Sequence, residues 1–160
     1  MLPTFPAIIA GDRADRRPRR PRRLPGRGPA TLLGVLSLDD PRWLSLNHRG
    51  WSGGRRTSDN PEIPFVPDEL RYLSGHPDDH GRFEDLWPYL CSEDTAWPAA
   101  YAAVPYLVAI ARGLPAPERG NYLYVVGWIV MCSGRFGETG REVPEDVADA
   151  YRQALPLWSC

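Results

Sequence analysis

The chain has 160 residues, a formal net charge of −1 and a hydrophobic fraction of 42% with six tryptophans, which is enough for one domain with a real core. Its near-neutral balance excludes a chain built wholly around polyanion binding, but the charge is uneven. Residues 12–27 carry eight arginines against two aspartates, +6, whereas residues 31–160 carry eleven arginines against eighteen acids, −7.

All nineteen basic residues are arginine, and eighteen residues are proline, a pairing that points to the coding bias of a GC-rich bacterial genome. Cys91, Cys132 and Cys160 form no CxxC pair and are odd in number. That suits a reducing cytoplasm better than a disulfide framework, and Cys91 and Cys132 read as small core hydrophobes. The longest charge-free apolar run, Tyr122 to Cys132, falls well short of the ~18 residues that a membrane span needs. The expectation is a cytoplasmic protein with no membrane association. Residues 7–10 are too short for the apolar part of a secretory signal, and Pro25, Gly26 and Pro29 interrupt a twin-arginine reading of the arginine pairs.

Residues 1–30 are rich in Arg, Pro and Gly and lack apolar periodicity, so they are expected to be a disordered basic tail. Either the tail is a basic arm for nucleic acid or an acidic partner, or it is unstructured chain, or a wrongly assigned start. No aromatic residue interleaves with its arginines, which argues against single-strand binding. Residues 31–38 fit a short helix or strand, and residues 39–67 form a long irregular region with Trp43 and Trp51. Pro67 opens a short helix in which Asp68 and Glu69 favour the dipole and Leu70 and Leu73 face inward. Residues 75–81 read as a turn. Phe83, Leu86, Trp87 and Leu90 then form a helical stripe.

Residues 94–111 read as a buried helix, capped by Asp94 or Thr95, with Pro98 in the first turn. Trp97, Tyr101, Val104, Val108 and Ala111 form one stripe; Ala100, Ala103, Leu107, Ile110 and Leu114 form a second. Pro105 lies inside, at a cost of about 3 kcal/mol that only tertiary packing offsets, and is expected to kink the helix. Residues 115–120 read as a connector. The composition of Tyr122–Cys132 favours a strand, but the run is long for one and Gly127 would weaken it. Val143-Pro144-Glu145-Asp146 starts a last helix, with Val147, Tyr151, Ala154 and Trp158 at helical spacing.

The segments Trp97-Pro98-Ala99-Ala100 and Ala103-Val104-Pro105-Tyr106-Leu107-Val108, with the lead-in of Asp40, Pro41, Trp43, Leu46, His48, Gly50, Ile63, Pro64 and Leu70, resemble bacterial HEAT/armadillo-like helical-repeat proteins over residues 39–134. The resemblance implies an all-α fold: a short HEAT-like array of helical pairs, about five helices, in a single domain of residues 31–160. It also favours the helical reading of Tyr122–Cys132. Such proteins often carry His-Gln-Gly before the proline helix; here Cys91-Ser92-Glu93-Asp94 stands there, so no role of that histidine carries over. Two helical pairs are fewer than the ~3 repeats a solenoid needs. Either residues 31–75 cap the array, or an apolar face is left for a second copy or another partner.

Two clusters are candidates for function. Trp43, His48, Arg49, Trp51, Arg55 and Arg56, with Gly50, Gly53 and Gly54, make a protein-binding loop, since tryptophan and arginine anchor interfaces. The alternative is that both tryptophans cover the end of the array. The run Gly53 to Thr57 lacks the lysine and spacing of a phosphate-binding loop. His76-Pro77-Asp78-Asp79-His80 offers metal-ligand types, but Gly75 and Pro77 break the helix that would make the histidines converge, so a solvated turn competes. An enzyme using His48, His76 or His80 with a carboxylate is the alternative class; it requires those histidines to meet in one cleft. No G-x-S-x-G occurs. The reading is thus a non-enzymatic protein-binding module, of the accessory or immunity-like kind, without a cofactor. Its partner is another protein or a second copy, and nucleic acid is the weaker alternative.

Overall fold

A computed structural model describes residues 34–57, 59–92, 95–135 and 143–158. The expected basic tail, residues 31–33 and the capping aspartate at 94 lie outside the described residues. What is described is mostly helical, with five α-helices and two small hairpins. The order is a 3-10 turn Pro41–Leu44, β1 Trp51–Ser52, β2 Arg55–Arg56, α1 Val66–Gly75, α2 His80–Leu90, β3 Cys91–Ser92, β4 Thr95–Ala96, α3 Pro98–Gly113, α4 Ala116–Arg135 and α5 Glu145–Trp158.

The lead-in is pinned by short polar contacts. Residues 34–40 form neither the helix nor the strand expected over 31–38. The Asp40 carboxylate accepts from the Arg42 N–H at the start of the 3-10 turn, and Pro41 supplies its first residue. The Trp43 indole is buried and donates to the Ser37 carbonyl at 2.8 Å. In α1, Val66, Leu70 and Leu73 fall at spacings of four and three, which turns all three inward.

α3 is the centre of the core. Both predicted stripes are buried along it, apart from the half-buried Trp97, and the helix runs unbroken through the buried Pro105. α3 packs against α4, α5 and α1. Its start differs from expectation. Thr95 caps nothing, because Thr95 and Ala96 pair as β4 with Ser92 and Cys91 of β3. The helix instead begins at Pro98, whose fixed φ suits a first helical position, after Trp97 in extended backbone. The orphan N–H of Ala99 is taken by the Asn47 carbonyl at 3.1 Å.

Residues 122–132 are helical, and the stretch expected to be a connector is already the first turn of α4. Tyr122, Val125, Val126, Ile129 and Cys132 face inward, and the Tyr122 ring stacks on Phe83 at 4.1 Å. The Tyr122 hydroxyl donates to the Pro77 carbonyl at 3.0 Å, tying α4 to the turn between α1 and α2. The helix is not covered all round: Tyr124 is 57% exposed and Met131 40%. In α5, Val147, Tyr151 and Ala154 are buried, and Tyr151 meets Tyr101 edge to face at 5.2 Å. Cys91 and Cys132 are both buried, and desolvation pushes the Cys91 thiol up to about 12. No helix among the described residues is long and apolar enough to cross a membrane.

Candidate functional site: a hairpin and groove on alpha2

The irregular region between the 3-10 turn and α1 is largely organised by one hairpin. Gly53 and Gly54 both have positive φ, 59° and 76°, which a two-residue turn matched to the right-handed strand twist requires. Trp51 then pairs with Arg56 and Ser52 with Arg55, an inner bridge joins His48 to Trp51, and the Thr57 N–H donates to the Gly50 carbonyl. Gly50 also has positive φ, 77°, and a Cβ there would lie 2.5 Å from Ile63 Cδ1. This close approach lets residues 60–63 fold back beside the hairpin.

Three contacts seat the hairpin on the helical body. The Arg49 N–H donates to the Tyr89 carbonyl at the end of α2, satisfying one of the acceptors that a helix terminus leaves open. Asn47 accepts from α3 through its carbonyl and from the Gly53 N–H through Oδ1 at 3.1 Å. His48 is only 3% exposed; its ring stacks on Trp51 at 5.7 Å and meets Tyr89 edge-on at 6.5 Å. Trp51 in turn packs on Phe65 at 5.6 Å. The His48 Nδ1–H donates to the Arg49 carbonyl, which leaves Nε2 as a buried lone pair without a donor among the described residues. Burial pushes the His48 pKa down and holds the ring neutral.

The predicted binding residues therefore separate into two groups. Trp43, 2% exposed, and His48 are internal; Trp51 is half-buried between rings. Arg49, Arg55 and Arg56 are exposed. The two internal residues hold the loop, and the arginines present it.

Below the hairpin, residues 60–64 and the outer face of α2 enclose a groove. It consists of two adjoining cavities of about 440 Å³ each, which share Asp85 and Tyr89. One cavity is lined by Glu62, Pro64, Glu69, Arg82 and Leu86, and the other by Arg49, Asn60, Ile63, Glu84 and Pro88. Helical periodicity explains the α2 contribution. Phe83, Leu86 and Leu90 turn toward the core, and Asp85 and Tyr89, one turn apart, share the flank beside Leu86. Asp79 starts the helix by accepting from the Arg82 N–H at 3.1 Å, and that bond holds its carboxyl below the usual range. Arg82 reaches back to Glu69 of α1 with two bonds, 2.5 and 2.8 Å, and lies 5.0 Å over the Tyr72 ring.

The other histidines sit elsewhere. His76 ends α1, stacks on Tyr72 at 4.5 Å and bonds the Tyr72 carbonyl; His80 opens α2. Neither lines the groove, nor does His48. Among the described residues no three His, Cys, Asp or Glu side chains come together to hold a metal ion. The groove itself was not foreseen. Its walls come from segments about twenty residues apart, and only the spacing of Asp85 and Tyr89 hinted at a shared face.

No protein-family model matches the chain, and no curated protein or solved structure is significantly similar to it.

Proposed function

We propose that the protein is a non-enzymatic protein-binding module, a short HEAT-like arrangement of helical pairs that presents the hairpin and the α2 groove to a partner. One observation carries this reading. The groove sets the half-buried rings of Pro64, Pro88 and Tyr89 among exposed charged side chains, the mixture of apolar anchors and polar rim that protein interfaces use. The succession of α1 with α2 and of α3 with α4, each pair joined by a short turn, supports the repeat-like description. His48 packs in the hairpin against Trp51, on a different element from the turn that carries His76 and His80, which supports binding over catalysis in one shared histidine cleft.

The test is affinity capture with the full chain, comparing the native sequence with an Arg55→Glu/Arg56→Glu variant. A partner held by the native chain and lost by the variant is the expected result. Capture of the same proteins by both would remove the hairpin from the interface.

A second copy as partner is favoured by a different observation. From Asn121 to Ser133, α4 carries no charged residue, although Tyr124 and Met131 are exposed on its outer side. A face without charge meets its own copy across a two-fold without repulsion. Light scattering should show a dimer that Tyr124→Glu dissociates; a monomer at all concentrations would reject it.

A further inference from the structure

The groove's own neighbourhood contains one worked instance of how it holds a cation. Arg82 is gripped by two parts: the Glu69 carboxylate, through paired bonds from Nε and a terminal nitrogen, and the face of the Tyr72 ring. A planar guanidinium suits both at once, forking onto a carboxylate while its face lies over a π-system. Further along the same groove the same two parts recur. Asp85 and Tyr89 stand one turn apart on α2 and line both cavities, with Glu62 and Glu84 on either side. Unlike Glu69, none of these three carboxylates makes an ion pair or side-chain hydrogen bond among the described residues. Between them lie the accessible, half-buried rings of Pro64 and Pro88, which accept the stem of a long side chain or a proline ring. Arg49 closes the far end with a positive charge, so the stretch open to cations is bounded.

Taking the protein-binding reading above as its premise, we propose that this groove docks an extended, arginine-containing segment of a partner protein, with one guanidinium on Asp85 and the Tyr89 face and a neighbouring one toward Glu62 or Glu84. Charge complementarity selects the class of partner. Four acids against two arginines line the groove, which repels a phosphate backbone and attracts a cationic peptide. The forked geometry selects arginine over lysine, whose ammonium is a point donor.

The experiment is fluorescence anisotropy of a labelled alternating arginine–proline peptide titrated with the full chain at about 0.15 M salt, beside a lysine–proline counterpart. The expected result is saturable binding of the arginine peptide, with the lysine peptide about tenfold weaker. A Glu62→Gln/Glu84→Gln/Asp85→Asn variant should weaken binding by at least roughly tenfold at an unchanged circular-dichroism spectrum, because all three side chains are exposed. Glu118→Gln, an exposed acid on α4, should leave it unchanged.

Equal binding of both peptides, no binding, or full binding by the triple variant overturns the proposal. Binding that emerges only after Arg16, Arg17, Arg19, Arg20, Arg22 and Arg23 are replaced by glutamine also overturns it, because the groove then belongs to the chain's own basic segment. If the peptide fails while Arg55→Glu/Arg56→Glu still releases a captured protein, the arginine-segment proposal falls alone. If neither effect is seen, the protein-binding reading falls with it.

Discussion

α3 and α2 both carry an internal proline, yet they have opposite surroundings. α3 is buried over most of its length and touches all four other helices. α2 buries only Phe83, Leu86 and Leu90, and turns Glu84, Asp85 and Tyr89 toward a groove. The same breaker is tolerated for different reasons. Pro105 is surrounded by packing that offsets the lost bond, whereas the carbonyl that Pro88 leaves without its helical donor belongs to Glu84, on the exposed side of α2 where water can serve. The difference separates the part of the molecule that holds shape from the part that offers a surface.

Substitutions should reproduce that separation. Leu107→Ala at the centre of α3 removes a fully buried side chain and should lower unfolding stability by about 2–5 kcal/mol in denaturant titration. A loss below about 1 kcal/mol would show that α3 is not the core. Gly50→Ala combines a positive φ with the approach to Ile63. It should reduce stability by about 1–2 kcal/mol, with amide shifts confined to the hairpin and residues 60–63. At the other extreme, Asp85→Asn should change stability by less than about 0.5 kcal/mol while acting on peptide binding, since its side chain is exposed and makes no internal bond.

Two pH effects sharpen the comparison. His48 is held neutral by burial, so its folded pKa lies below the unfolded value of 6.5. The unfolded state therefore takes up the proton first, and stability falls as pH drops below about 6.5. His48→Phe, which keeps a ring against Trp51 and Tyr89, should flatten that part of the profile; an unchanged slope would exclude His48 as its source. At the alkaline end the order reverses. Cys91 is raised from 9.0 to about 12 by desolvation, and Tyr101 and Tyr122 from 10.0 to about 12. The unfolded chain loses those protons first, so stability falls as pH rises through about 9 to 12. Cys91 should also resist thiol reagents at pH 8 until the chain unfolds.

Much of the helical body was legible because apolar spacing is set by the same burial that stabilises it. The stripes through Tyr101 and Leu107, through Phe83 and Leu90, and through Val147 and Tyr151 fall on the faces that are buried. Helix ends were less legible. Thr95 looked like a cap but is held in a two-residue ladder with Ser92, and the free N–H of Ala99 is satisfied by Asn47, a partner far away in the sequence. In α4 β-branched and aromatic composition pointed to a strand, against which the resemblance favoured the helix that is found, and uniform apolarity pointed to burial on every side, which is not found. Tertiary packing decides the first point, and the exposed Tyr124 decides the second. The binding loop was recognisable by its tryptophans, arginines and glycines, but not the division of labour within it. Trp43 and His48 face inward because Ser37 and Arg49 offer carbonyls to their ring N–H groups. The groove had no sequence signature, since acids at 62, 84 and 85 acquire a common function only when residues 60–64 fold against α2.

Hydrogen exchange of the full chain tests the partition between scaffold and presented surface most directly. Amides of α3 between Tyr101 and Ile110 should exchange only through global unfolding, while those of the hairpin from Trp51 to Arg56 should open at much lower free energy, and the groove-lining amides of Ile63, Asp85 and Tyr89 should gain protection when the arginine–proline peptide is added. A hairpin as protected as α3 in the free protein, or α3 amides that exchange before it, would contradict the account.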